Sequence, residues 1–139
     1  MVLNKILVAV DGSKNSTRGL DEAIKLAQAV NASIVGLYVQ HSALPSKGAV
    51  TGAIRDTLKQ EAEKVLDAAR RRTLAGDVPF SEKIANGNVG KTIVKVAEDN
   101  LYDMIVIGSR GVSGVNERFF GSVANHVVHD SRLPVLVVK

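Results

Sequence analysis

The sequence lacks cysteine and tryptophan, and its 139 residues include two tyrosines and three phenylalanines. Without cysteine, disulfides, thiolate catalysis and cysteine-ligated metal sites are excluded. Five aromatic rings are too few for the stacking platforms on which single-stranded nucleic acids usually bind, so a nucleic-acid partner is disfavoured. The net charge of +4 then indicates either a mildly basic surface or a small anionic partner such as a nucleotide.

Long apolar runs are also absent. No segment approaches the roughly 18 apolar residues that a membrane-spanning helix needs. The apolar run at residues 6–10 is too short for a signal peptide, and the polar residues after it form a poor cleavage site. The sequence therefore predicts a cytoplasmic protein that is not associated with a membrane. With 45% apolar and 23% charged residues, it also predicts one globular domain over residues 1–139.

Strand-like and helix-like segments alternate along the chain. Apolar runs predict strands at residues 5–10, 33–39, 80–85, 104–107 and 134–138. Apolar residues at helical spacing predict helices at residues 20–30, 54–72, 89–97 and 122–131. This alternation is typical of the α/β class, with an open five-stranded parallel sheet and helices on both faces. In such sheets, ligands bind beyond the carboxyl ends of the strands, where the strand order reverses.

The stretch after the fourth strand contains Gly108, Gly111, Gly121 and Ser122, with the spacing Gly-x-x-Gly-x9-Gly-Ser. Glycines at a strand end let the backbone turn tightly and approach a ligand closely. Gly121 and Ser122 precede the last helix, whose free N–H groups and dipole suit a phosphate, and Arg110 adds positive charge. The alternative interpretation is a glycine-rich turn followed by a serine N-cap.

This spacing closely resembles the ATP-binding signature of the universal stress protein family. The resemblance extends along the chain through residues 5–13, 103–111 and 134–138. It implies a Rossmann-like sheet of strand order 3-2-1-4-5, a homodimer and bound ATP. In that order the last strand, from Pro134 to Val138, is an apolar edge of the sheet. Because exposed apolar edges invite pairing, we predict that two chains join through this strand.

The resemblance also implies which residues bind the nucleotide. Adenine and ribose are expected at the ends of the first two strands, near Ala9, Val10, Asp11 and Val39. The phosphates are expected on the glycine motif, near Gly108, Arg110, Gly111, Gly121, Ser122 and Val123. Mg²⁺ is expected with the nucleotide, and Asp11 is its candidate protein ligand. The other interpretation of Asp11 is a turn residue before a glycine.

A second glycine-containing stretch, residues 85–92, matches a relaxed Walker A pattern between a strand and a helix, with alanine in place of the first glycine. The following strand ends in Gly108 rather than in a carboxylate that could organise Mg²⁺. We therefore interpret this stretch as a turn that leads into a helix, with Lys91 on the helix surface.

Histidines and arginines provide the remaining candidates. His126 and His129 are three residues apart on the last helix, but no third metal ligand is evident, so we predict that they are solvated. The same helix is predicted to bury Val123, Val127 and Val128. The arginine run at residues 70–72 ends a helix, where positive charge suits the dipole, and is predicted to lie on the surface.

The sequence thus predicts an ATP-binding universal stress protein with a regulatory role in stress. No general base, and no nucleophile with a base partner, is evident near the glycine motif, which argues against more than slow ATP hydrolysis. Two alternatives stay open. One is a slow ATPase or adenylate-transferring enzyme of related fold, and the other is an interaction module whose nucleotide site is vestigial.

Overall fold

Strands and helices alternate as predicted in the computed structural model, which describes residues 2–41, 52–110 and 120–139. The elements are β1 (Lys5–Ala9), α1 (Lys14–Val30), β2 (Ser33–His41), α2 (Gly52–Ala75), β3 (Phe80–Gly87), α3 (Val89–Asp99), β4 (Met104–Gly108), α4 (Ser122–Asp130) and β5 (Val135–Val138). Each segment predicted from its periodicity is present. The largest difference in bounds is at α1, which begins at Lys14 because polar residues form its first turn.

All strand pairs in the sheet are parallel, and the strand order is β3-β2-β1-β4-β5. The predicted fold class and strand order are therefore confirmed. The order reverses at β1, whose neighbours are β2 and β4, so the switch point lies between the carboxyl ends of β1 and β4. At the opposite end of these two strands, the Oδ2 of Asp103 accepts hydrogen bonds from the N–H groups of Asn4 (3.0 Å) and Lys5 (2.9 Å).

The core has one layer on each face of the sheet. Alternate residues of a strand point to opposite faces, so Ile6, Val8 and Val10 are buried together with residues of α1 and α2. Leu7 and Ile105 are buried on the other face with residues of α3 and α4. Both faces of the sheet are thus covered, and the carboxyl ends of the strands remain as the place where a ligand can approach.

The starts of the helices differ in how their backbone N–H groups are satisfied. The side chain of Ser13 accepts from the N–H of Ser16 and caps α1, and Asn88 caps α3 in the same way. At α4 the N-cap residue is Gly121, and no side chain among the described residues makes the capping hydrogen bond. The first turn of α4 therefore retains donors that the starts of α1 and α3 use internally.

The prediction of which residues α4 buries was wrong in part. Val128 was predicted to face the core with Val127, but it is 41% exposed, because α4 buries only the narrow stripe that contains Ala124 and Val127. Ile54, at the start of the helix predicted at residues 54–72, is also 44% exposed, because the buried residues of α2 begin at Ala62. Within the described ranges, no helix is both long enough and apolar enough to cross a membrane.

Candidate functional site

The turn after β1 fixes the position of the Asp11 carboxylate. The Oδ1 of Asp11 accepts from the N–H of Ser13 at 2.8 Å, which closes a turn around Gly12, whose φ is +85°. The N–H of Asp11 donates to the Oγ of Ser16 at 3.1 Å. Among the described residues, no donor reaches Oδ2, and Asp11 is exposed. The turn role and the site role of Asp11 are therefore compatible, since the turn uses one carboxylate oxygen and leaves the other.

The two halves of the glycine motif meet at the end of β4. The N–H of Gly121 donates to the carbonyl of Ser109 at 2.7 Å, and the N–H of Ser109 donates to the carbonyl of Val138 at 2.7 Å. These bonds hold the uncapped start of α4 against the carboxyl end of the sheet, where Ser122 is exposed and Arg110 is half-buried. An anion at this position would meet backbone N–H groups and the positive end of the α4 dipole.

Gly108 is required by the packing of α1 in addition to any role in binding. A Cβ atom on Gly108 would lie 2.7 Å from the backbone carbonyl of Asn15 and 3.0 Å from the backbone nitrogen of Ser16. The first turn of α1 therefore rests directly on the first glycine of the motif. Gly121 differs, since its φ of −65° is accessible to any residue. Gly111 lies outside the described residues.

An apolar surface flanks this corner of the sheet on the α3 and α4 face. Ala9, Val39 and Val123 are half-buried there and pack against the same core layer, with Ala85 and Val89 beside them. Three side chains that were predicted to bind the nucleotide are thus on one face, at the ends of β1 and β2 and at the start of α4. They form a surface on which the face of a purine ring can lie.

Val10 has its side chain on the opposite face. It is 6% exposed within the α1 and α2 layer, and its N–H donates to the carbonyl of Leu37 at 2.9 Å. Only its carbonyl group is therefore available at the strand end. The cavity that it helps to line, between α1 and α2, has a volume of about 150 Å³. That is well below the roughly 300–1,000 Å³ of ligand pockets, so the nucleotide is not expected there.

Two carboxylates lie near the Tyr38 ring beside the Asp11 turn. Burial raises the pKa of Tyr38, and the nearby carboxylates of Glu61 and Asp11 raise it further. The Tyr38 ring therefore lies within electrostatic range of both carboxylates.

The Walker-like stretch lies at the edge strand β3, two strands away from β1. The side chain of Asn88 accepts from the N–H of Lys91 at 3.1 Å and caps α3, and the Lys91 side chain is exposed. Gly90 faces the ring of His126 on α4, because a Cβ on Gly90 would lie 2.9 Å from its Cδ2. The glycine therefore serves close packing of α3 on α4, and the helix start is already occupied by its own cap.

His126 and the arginine run at residues 70–72 form ion pairs within the chain. His126 is paired with Asp130 at 3.0 Å, which corrects the prediction that it is simply solvated, and His129 is exposed. No cluster of three or more candidate metal ligands is present among the residues that the structure describes. Arg70, Arg71 and Arg72 pair with Glu82, Asp67 and Asp21, respectively.

The arginine run does lie on the surface, as predicted. The Arg72 hydrogen bonds hold the pKa of the Asp21 carboxyl below its ordinary value. Because all three guanidinium groups face carboxylates, the run does not form an anion-binding patch.

Sequence reasoning missed Ser16. It is 6% exposed and lies on the buried stripe of α1, one turn before Leu20. The signal was present in the sequence, because a polar residue at a core position of a helix, five residues after the strand-end aspartate, needs a hydrogen-bonding partner.

Comparisons with known proteins identify the family of this chain. The model of the universal stress protein family matches residues 3–139. The universal stress protein YxiE of Bacillus subtilis is 34% identical over 148 aligned residues, covering 99% of this chain and 100% of its own.

Two solved structures show the same fold. The universal stress protein UspA from Lactobacillus plantarum has a TM-score of 0.88 at 26% identity, covering 100% of this chain and 99% of its own. A universal stress protein in complex with cAMP has a TM-score of 0.77 at 27% identity, with coverage of 100% and 99%. The match extends over nearly the whole sequence, and the chain belongs to the universal stress protein family.

Proposed function

We propose that this chain is an ATP-binding universal stress protein of the nucleotide-binding branch, with a regulatory role. The observation that carries the proposal is the uncapped start of α4, which the bond from Gly121 to Ser109 holds at the switch point of the sheet. Helix starts that lack a side-chain cap and lie at the end of a parallel strand are suited to phosphate. The apolar surface beside it supplies a place for the base.

Each residue then has a defined role. Ala9 and Val39 contact the adenine, and the Oδ2 of Asp11 accepts from a ribose hydroxyl. The carbonyl of Val10 lies beside them. The N–H groups of Ser122 and Val123, the Ser122 hydroxyl and Arg110 contact the phosphates, and Gly108 and Gly121 permit their close approach. Gly111, which lies outside the described residues, keeps its proposed phosphate role.

Magnesium is proposed to enter with the nucleotide. Because the described residues contain no cluster of three ligands, the phosphate oxygens supply most of its coordination and Asp11 adds at most one carboxylate. Bound Mg²⁺ would neutralise part of the charge on the phosphates. This arrangement predicts that Mg²⁺ alone binds weakly.

The relative that was solved with cAMP supports an adenine nucleotide as the ligand class. Both cAMP and ATP present an adenine, a ribose and at least one phosphate. The two ligands differ in their phosphates, which are a cyclic monophosphate in cAMP and a triphosphate chain in ATP.

The deciding experiment is to denature freshly purified protein and identify any nucleotide that is released, followed by calorimetric titration of the emptied protein with ATP and Mg²⁺. A ligand that binds only the folded state stabilises it by about 2.7 kcal/mol at a hundredfold excess over Kd, and so raises the melting temperature. ATP should raise the melting temperature more than adenosine does, because only ATP carries the phosphates that the start of α4 is proposed to bind. Equal shifts would show that the phosphates are not recognised. A purified protein that carries no bound nucleotide and has no affinity for ATP would favour an interaction module with a vestigial nucleotide site.

We also propose that two chains join through β5. Leu136 is 36% exposed on this edge strand, and β5 carries no charged residue between Val135 and Val138. Leu136→Lys should convert a dimer to a monomer in sedimentation at micromolar concentration, because it places charge in the apolar contact. An unmodified protein that sediments as a monomer would contradict the proposal, and Val2→Lys, at another exposed apolar position, is the control.

A cytoplasmic location, a single domain over residues 1–139 and the absence of a nucleic-acid partner stay predictions.

ATP hydrolysis is tested with the purified protein used for the titrations. Phosphate release above background that Asp11→Asn abolishes would favour the slow ATPase, and no release would favour a binding protein.

A further inference from the structure

The hydroxyl of Ser16 connects the turn that carries Asp11 to the first turn of α1. Its Oγ accepts from the N–H of Asp11 at 3.1 Å and donates to the carbonyl of Ala9 at 3.4 Å. The backbone N–H of Ser16 donates to the Oγ of Ser13 at 3.2 Å. One buried side chain therefore bonds the backbone on both sides of Val10, at the strand end that precedes the proposed ribose contact.

We propose that Ser16 is a positioning residue for the nucleotide, and that its hydroxyl holds the Asp11 turn so that the free carboxylate oxygen meets the ribose. The inference rests on the proposed function, because it assigns a ribose to Asp11. Ser16 itself is buried and does not touch the ligand. It acts by fixing the backbone of Asp11 before the ligand arrives.

The location of Ser16 argues that this hydroxyl is there for the turn. Leu20, Ala23 and Ala27 continue the same buried stripe of α1, where an apolar residue packs well. Alanine has a higher helix propensity than serine and would suit the core at position 16. A buried hydroxyl is tolerated because both of its hydrogen bonds go to the strand end and none goes to the helix.

The two oxygens of Asp11 show what the fixed turn achieves. Oδ1 accepts from the N–H of Ser13, and in the part of the chain that the structure describes no donor reaches Oδ2. With the Asp11 N–H held by Ser16, rotation of the turn is restricted and Oδ2 keeps one direction. A ribose offers two adjacent hydroxyl donors, and a preorganised acceptor binds them without the cost of ordering the turn.

The same contact places this turn next to the glycine motif. The backbone nitrogen of Ser16 lies 3.0 Å from the position of a Cβ on Gly108, so β4 and the first turn of α1 are in direct contact. The first turn of α1 and the start of α4 thus contact two consecutive residues, Gly108 and Ser109. We infer that their separation, and so the distance from ribose to phosphate, is set by this packing.

The test is to titrate ATP and 2′,3′-dideoxy-ATP, each with Mg²⁺, into the unmodified protein and into Ser16→Ala. ATP affinity should fall by about threefold to tenfold, the range for one hydrogen bond. Affinity for the dideoxy nucleotide should change less than twofold, because that ligand lacks the hydroxyls that Asp11 accepts. A purely structural role would lower both affinities equally, and that result would overturn the proposal.

Matched variants complete the experiment. Thr17 follows Ser16 in the first turn of α1. Its Oγ1 donates to the carbonyl of Ser13 at 3.1 Å and makes no hydrogen bond to Asp11. Thr17→Val should therefore leave the preference for ATP over the dideoxy nucleotide unchanged. Ser16→Thr should restore the preference, and Ser16→Cys provides a second test of the lost hydroxyl if Ser16→Ala does not fold.

A double substitution distinguishes a positioning role of Ser16 from a role in packing. In an Asp11→Asn background, Ser16→Ala should cause no further loss of ATP affinity, because the residue through which Ser16 acts is already changed. Independent losses that add would contradict the proposal. If the unmodified protein binds no ATP, the proposed function fails first and this inference fails with it, whereas ATP binding with an unchanged ratio in Ser16→Ala rejects this inference alone.

Discussion

The chain contains two stretches in which a strand, glycines and a helix follow one another, and only one has the features of a phosphate site. After β3, Asn88 caps α3 with its own side chain, and the stretch lies at the sheet edge. After β4, Gly121 leaves α4 uncapped, and the stretch lies beside the switch point. Glycine spacing alone does not separate them. The difference lies in whether the helix start is already satisfied and in which strand precedes it.

The largest effect is expected when the open helix start is closed. Gly121→Asp places a carboxylate where it can accept from the first N–H groups of α4, so it should lower ATP affinity at least about a hundredfold. The unliganded protein should melt at the same or a slightly higher temperature, because Asp is a good N-cap. Calorimetry and thermal melting measure the two effects. Retained ATP binding would remove the basis for placing phosphate at α4.

Glycine packing gives the next largest effect. Gly108→Ala should lower the free energy of unfolding by about 1–3 kcal/mol, since the added methyl meets the backbone of Asn15. Gly90→Ala should cost less, because the methyl meets the side chain of His126 and alanine improves helix propensity. Urea unfolding of both variants measures the difference. Equal losses of unfolding free energy would show that the backbone contact between α1 and β4 adjusts to a methyl group as easily as the His126 side chain does.

Removing the cap of α3 should affect stability without affecting ATP. Asn88→Ala leaves the N–H of Lys91 without its acceptor and should cost about 1 kcal/mol of unfolding free energy. ATP affinity, measured by calorimetry at a temperature where both proteins are folded, should stay within twofold. A tenfold loss of affinity would indicate that the Walker-like stretch takes part in binding.

The smallest effect is expected from Lys91→Ala. The side chain of Lys91 is exposed on α3, whereas the lysine of a true P-loop contacts the phosphates directly. ATP affinity should therefore change by less than twofold. Lys95→Ala is a matched control on the same helix, although it also removes an ion pair with Asp99. Loss of ATP binding in Lys91→Ala, together with retained binding in Gly121→Asp, would show that the Walker-like stretch, and not the start of α4, binds the phosphates.

Most of the fold could be predicted because it depends on periodicity along the chain. Short apolar runs and helical spacing gave every strand and helix of the described ranges, and the family resemblance gave the strand order. Burial at the ends of elements could not be predicted in the same way. Ile54 continues the helical stripe of α2, but whether a stripe is buried depends on how far the neighbouring sheet extends, which is a property of tertiary packing.

The candidate site was predicted in part. Asp11, Val39 and Val123 could be named from the resemblance, and the structure brings their segments to one corner of the sheet. Val10 could not be assigned to a face because strand alternation gives two faces but does not say which one the ligand takes. The contact of Asn15 with Gly108 joins residues about 90 positions apart, and no local pattern shows such a contact.

The segment Gly108-Ser109 has a consequence for how binding depends on pH. The first turn of α1 rests on Gly108, and the start of α4 is bonded to Ser109, so the amino-terminal ends of two helices converge at one place. Each carries a partial positive charge of roughly half an elementary charge that arises from peptide dipoles. Peptide dipoles do not titrate, and arginine stays charged at all ordinary pH values. The affinity for a fully ionised phosphate chain should therefore be flat from about pH 7 to pH 9, a range in which a site built on histidine would lose the positive charge that it still has at pH 7.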